Sequence, residues 1–136
     1  MSRITSTPLG EGRTHVLHEA SGATIETKVS PEFDGGAATA FSSTDLVAAA
    51  LGSCISSSLE RIADRSGIPY DAISIVVDKQ VGTDPRRITR LDVTISIAHN
   101  GDERLARVID RAAHTCVVHR SLHPEIDAPV IVVFTP

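Results

Sequence analysis

Two cysteines are the residues of this 136-residue chain best equipped for covalent chemistry. Cys54 lies inside the longest proline-free run, Ser42 to Gly67, which reads SSTDLVAAALGSCISSSLERIADRSG. Cys116 lies far downstream, with His114, His119 and Arg120 within four residues of it. The thiolate, not the thiol, is the nucleophile, and cationic neighbours favour it, so these three residues are expected to lower the Cys116 pKa. Two other readings stand beside this one. A single buried cysteine is ordinarily a small core residue. Cys116, His119 and His123 also form a C-x2-H-x3-H set of soft or borderline ligands. Three ligands suit a catalytic zinc, whereas a structural zinc prefers four. A Cys–His hydrolase would use the same imidazoles, but no G-x-S-x-G signature accompanies them.

Taken together the thiols suggest redox chemistry. A thiolate attacks a peroxide oxygen and becomes a sulfenic acid, a second thiol condenses with it to a disulfide, and an external dithiol restores both. That cycle requires the two helical segments carrying the sulfurs to pack within disulfide reach.

The elements that must position them can be read from period and punctuation. Ser42 or Ser43 is an N-cap, Asp45 lies in the first turn, and Gly67 with Pro69 beyond it ends the helix. Leu46, Val47, Ala50, Leu51, Cys54, Ile55, Leu59, Ile62 and Ala63 form its apolar face, with Cys54 on it. Small residues around Cys54 allow close approach of a backbone or ligand. Upstream, Ile4–Leu9, Thr14–Ala20 and Ala23–Val29 are expected strands, with a two-residue hairpin at Ser21-Gly22. Pro31 to Phe41 is an expected loop, and Arg13, just before the second strand, is by itself a surface charge. Downstream, Ala72–Val81 and Thr89–Ala98 alternate and should pair antiparallel, with Leu91, Val93, Ile95 and Ile97 inward. A second helix is predicted over Asp102–His114, with Leu105, Val108, Ile109 and Ala112 facing the core. A short helical turn follows Cys116, and Val130–Phe134 is a closing strand. This describes one α+β domain spanning 1–136. The long helix is too apolar for one modest sheet to cover, which predicts a dimer.

Composition narrows the function. A net charge of −4, scattered basic residues and 3% aromatics argue against a nucleic-acid partner. No apolar run reaches the roughly 18 residues that span a bilayer. The first residues lack the apolar core of a signal peptide, so the cytoplasm is the expected compartment. A structural disulfide would be unusual there.

The run Ser43–Cys54 (STDLVAAALGSC) with the later Cys116-Val-Val-His-Arg-Ser-Leu resembles the osmotically inducible protein C and organic hydroperoxide resistance (OsmC/Ohr) family. The order of elements matches over nearly the whole chain. The resemblance implies an α+β fold with antiparallel sheets around a long Cys-bearing central helix, in an intertwined homodimer with sites at the interface. It implies a peroxidatic Cys54 and a resolving Cys116, organic hydroperoxides as substrates, and an external dithiol, lipoyl-type in one branch of the family, as reductant. No cofactor or metal is expected. It matches Arg13 to an arginine that pairs with a glutamate ahead of the long helix and helps hold the thiolate. That glutamate position, ten before the cysteine, is Thr44 here, and Asp45 follows it. Nine residues of helix put Asp45 on the face opposite Cys54, about 13 Å away along the axis. As a site residue it could help this thiol only through an irregular first turn or across the dimer, and a helix-start charge is the simpler role for it. Proline commonly follows the second cysteine in the family, where this chain has Val117. The alternative within the fold is an oxidant sensor or small-ligand binder without efficient peroxidase turnover.

Overall fold

Alternation of apolar and polar residues over 73–97 builds the sheet on which the candidate site depends. In the computed structural model, which describes residues 1–136, strands β4 (Ile73–Thr83) and β5 (Arg86–Ile97) pair antiparallel over their full length. Every second residue of β5 from Leu91 to Ile97 is buried, none of the four more than 1% exposed. β6 (Val130–Phe134) adds to the other side of β5, giving the order β4-β5-β6. The expectation of antiparallel sheets holds except here, since β6 runs parallel to β5. Parallel neighbours need a crossover, and the two helices between β5 and β6 provide it. They are α3 (Glu103–Thr115), capped by Asp102 through Leu105 N–H to Oδ1 at 2.8 Å, and α4 (Val117–Ser121). Gly101 enters α3 against the Phe134 ring, where a Cβ would lie 2.3 Å from a ring carbon.

The predicted long helix is α2, Ser43–Ser66, with Ser42 just before it. Ser42 Oγ accepts the Asp45 N–H at 3.1 Å, and Asp45 Oδ2 accepts the Ser42 N–H at 2.9 Å, a reciprocal capping box. The helix ends on Gly67 at φ +67°, with Ile68 N–H closing on Ala63 O at 2.9 Å as a Schellman cap. Its buried stripe is Ala48, Leu51, Ile55, Leu59 and Ala63. Cys54 therefore flanks the stripe instead of lying on it, and Ala50 is exposed. On α3 the buried residues are Ile109 and Ala113, while Val108, expected inside, is 46% exposed. Contrary to the sequence expectation, α2 is long and apolar enough to cross a bilayer by length and composition, although its stripe is part of the core.

The chain divides into two compact units, Met1–Val47 and Ala48–Pro136. The first holds a three-stranded antiparallel meander, β1 (Ile4–Gly10), β2 (Arg13–His18) and β3 (Thr24–Lys28). The β2–β3 connection is longer than the expected two residues, since His18 N–H bonds Ala23 O across it. The expected loop after β3 contains a short helix, α1 (Pro31–Asp34), ended by Gly35 at φ +71°.

Candidate active site

Cys54 belongs to the middle of α2, and Cys116 is the single residue between α3 and α4. Cys116 ends α3 in an extended conformation and caps α4, its Sγ accepting His119 N–H at 3.4 Å. The chain direction changes there because Cys116 has left helical angles (φ −65°, ψ 151°) while both its neighbours are helical. This corner turns the first N–H groups of α4 toward Cys54, and both cysteines are free thiols.

Their protonation follows from that corner. The backbone N–H of Val118 is the largest influence on Cys54 and holds its pKa below the ordinary cysteine range. Partial burial opposes the effect, and the Cys116 thiol and the Val117 N–H reinforce it. Cys116, only 5% exposed, has its pKa raised first by burial, then by the hydrogen bond and charge of Cys54. The N–H groups of His119 and Val118 offset part of that rise. One thiol is thus poised to ionise and the other to stay protonated beside it.

This reverses the sequence expectation that His114, His119 and Arg120 lower the Cys116 pKa. Burial dominates, and the imidazoles are engaged elsewhere. His119 Nε2–H donates to Ala128 O at 3.1 Å, and His114 Nδ1 lies 2.9 Å from Asp110 O. Nor do Cys116, His119 and His123 converge into a metal-holding group. His123 Nδ1 accepts the Glu125 N–H at 3.2 Å.

The other two expected site residues have partners of their own. Arg13 opens β2 and pairs with Glu26 of β3, Nη1 to Oε1 at 3.1 Å. Asp45 is held in the capping box with Ser42. The sequence reading missed two features. The Val117 and Val118 N–H groups are backbone, so no side-chain motif announces them. Arg61 lines an open pocket of ≈ 380 Å³ together with Cys54, Ser57, Ser58, Cys116 and Val117. Its signal was present as spacing, because Cys54, Ser57, Ser58 and Arg61 stand at i, i+3, i+4 and i+7 on one helical face.

The protein thus has a long helix bearing one thiol, a second thiol at a helix corner, and two three-stranded sheets. The model of the OsmC-like protein family matches residues 35–130, most of the chain and both cysteines. The chain belongs to the OsmC-like family. A solved Psychrobacter arcticus protein, named for osmotic stress induction and detoxification response, is 31% identical over 97% of this chain and 96% of its own, and superposes with a TM-score of 0.86. The organic hydroperoxide resistance protein OsmC of Legionella pneumophila shares the fold at 16% identity and TM-score 0.76, over 98% of this chain and 96% of that one. Bacillus subtilis OhrB does so at 19% and 0.65, over 97% of each chain. No curated protein matches by sequence. The OsmC/Ohr resemblance and the α+β fold expected from it are therefore established for this chain.

Proposed function

We propose that this OsmC-like protein is a thiol-dependent peroxidase of organic hydroperoxides. The observation that carries the reading is the opposite poise of Cys54 and Cys116 within one pocket. Names of fold relatives, organic hydroperoxide resistance among them, support the oxidative-stress setting.

In the proposed cycle the Cys54 thiolate attacks the terminal oxygen of ROOH. The S–O bond forms, the O–O bond breaks, and the departing alkoxide takes a proton to leave as ROH. Sulfur has then lost two electrons and stands as a sulfenic acid. The Cys116 thiol, protonated until this point, attacks that sulfur, and water leaves as the disulfide forms. An external dithiol, such as a lipoyl-type one, returns both sulfurs to thiols by exchange. Backbone N–H groups of Val118 and Val117 keep Cys54 nucleophilic without a cofactor or metal. Arg13 and Asp45 are proposed supporting residues, through the sheet and the helix start respectively.

We place the enzyme in the cytoplasm, where reduced thiols persist, as a homodimer built from the full 136-residue chain as one OsmC-like domain. Support for the dimer comes from apolar residues left open in the protomer, including Val76 at 50% and Ile131 at 60% exposure. The test is consumption of cumene hydroperoxide with dithiothreitol by wild type, Cys54→Ser and Cys116→Ser. Wild type should turn over and Cys54→Ser should not. Equal rates in all three would reject the mechanism.

Thr44, in place of the family glutamate, favours a second reading. An oxidant sensor or small-ligand binder with the same fold would form the disulfide once, with no sustained turnover.

A further inference from the structure

The pocket beside Cys54 has one permanent charge. Its lining includes Ser57, Ser58, Arg61, Thr115 and Val117, and no carboxylate. Arg61 is exposed and sits seven residues after Cys54, about 10 Å further along the helix axis. Helical side chains lean toward the N-terminus, which carries this guanidinium back over the pocket. Nor is it occupied with holding the thiolate, since the causes of the Cys54 shift are Val118, Val117, Cys116 and burial. Its charge is left available to whatever enters. This matters in a protein of net charge −4, whose general field disfavours anions.

We infer that Arg61 is a specificity-determining residue that selects anionic reactants for Cys54, so that the preferred hydroperoxide carries a carboxylate or a similar anionic group. A guanidinium presents a planar fork matched to carboxylate oxygens. Anchoring the acid there leaves the span back to Cys54 for a short carbon chain ending in the hydroperoxide. The pocket volume of ≈ 380 Å³ lies at the small end of ligand sites and suits a compact molecule. Ser57 and Ser58 line the path between the two ends, although Ser58 Oγ donates to Cys54 O at 3.0 Å and Ser57 Oγ to Ser53 O at 3.2 Å.

The hydroperoxide part of this inference rests on the proposed function, whereas the anion selection does not, and one experiment separates them. Iodoacetate and iodoacetamide alkylate a thiolate by the same step. Sulfur attacks the CH2 carbon, the C–S bond forms and the C–I bond breaks, with iodide leaving. They are close in size and differ chiefly in charge, so comparing the ratio of their rates at Cys54 between variants, read by peptide mass spectrometry, cancels the thiolate fraction and their intrinsic reactivities. Arg61→Gln should lower the iodoacetate-to-iodoacetamide ratio roughly fivefold. Arg61→Lys should keep most of it, and added salt should compress the wild-type value. An unchanged ratio in Arg61→Gln overturns the inference even if hydroperoxides are consumed. In a second arm, wild type should consume a carboxylate-bearing hydroperoxide faster than its methyl ester, with Arg61→Gln levelling the two. A ratio that falls as expected while no hydroperoxide is turned over would sink the peroxidase reading and leave the anion selection standing.

Discussion

The backbone N–H of Val118 faces the sulfur of Cys54, and it is the largest single influence on how that thiol ionises. The thiol that is held ready to ionise is thus the one served by a peptide group, Cys54, and not Cys116 with its basic neighbours. Amides of a packed corner are fixed in direction and cost little reorganisation when charge develops on sulfur.

The pH dependence follows directly. An acid whose pKa is lowered gives up its proton at lower pH, and one whose pKa is raised does so at higher pH. Alkylation of Cys54 by iodoacetamide should therefore rise at a pH below that of an ordinary cysteine. Cys116 should respond only above it, later still once Cys54 carries its charge. Peptide-resolved rates from pH 5 to 10 check this, and a reversed order would contradict the assignment of nucleophile and partner.

Val117→Pro tests the backbone donors separately. Proline is tolerated in a first helical turn and removes only its own N–H, the smallest of the contributions to Cys54. The pKa of Cys54 should rise slightly, with circular dichroism unchanged. A rise as large as that caused by unfolding α4 would mean that Val117 carries the effect.

Cys116→Ser should separate oxidation from resolution. One equivalent of hydroperoxide should be consumed rapidly, after which the sulfenic acid persists and can be trapped by dimedone. Steady turnover then depends on the external thiol reaching Cys54 itself, and turnover as fast as wild type with no sulfenic acid to trap would exclude Cys116 as the resolving residue.

Two structural substitutions test the frame. Ser42→Ala removes the acceptor for Asp45 N–H and should cost about 1 kcal/mol. Gly101→Ala drives a methyl into the Phe134 ring and should cost about 1–3 kcal/mol through overpacking. Urea unfolding midpoints measure both. If Asp45 acts chiefly as a helix cap, Ser42→Ala should lower stability while leaving the iodoacetamide rate at Cys54 intact.

Much of the architecture was legible because local signals agreed with one another. Ser42, Gly67 and Pro69 marked the long helix to within a residue, and Leu91 to Ile97 showed their inward face by period alone. The parallel β6 was less visible, because a strand's sequence does not say which direction its neighbour runs. Val108 misled because an apolar residue 100° from Ile109 falls within the same broad stripe in a helical projection, yet opens onto the pocket formed with Leu105 and Ile62. At the site, both thiols were identifiable from residue type. Their relative poise was not, since burial of Cys116 and the aim of two amides arise only when α2, α3 and α4 are assembled. Arg61 shares the helical face of Cys54 by spacing, yet it gains a role beyond that of a surface cation only once the pocket beside Cys54 exists.

The most direct measurement is peptide mapping of the reduced protein after one equivalent of an organic hydroperoxide. Expected is a single Cys54–Cys116 disulfide, with an equivalent amount of the alcohol released and both thiols recovered on adding a dithiol. Cysteines that remain reduced, or a Cys54 that proceeds to sulfinic acid while Cys116 stays a thiol, would contradict the two-sulfur cycle.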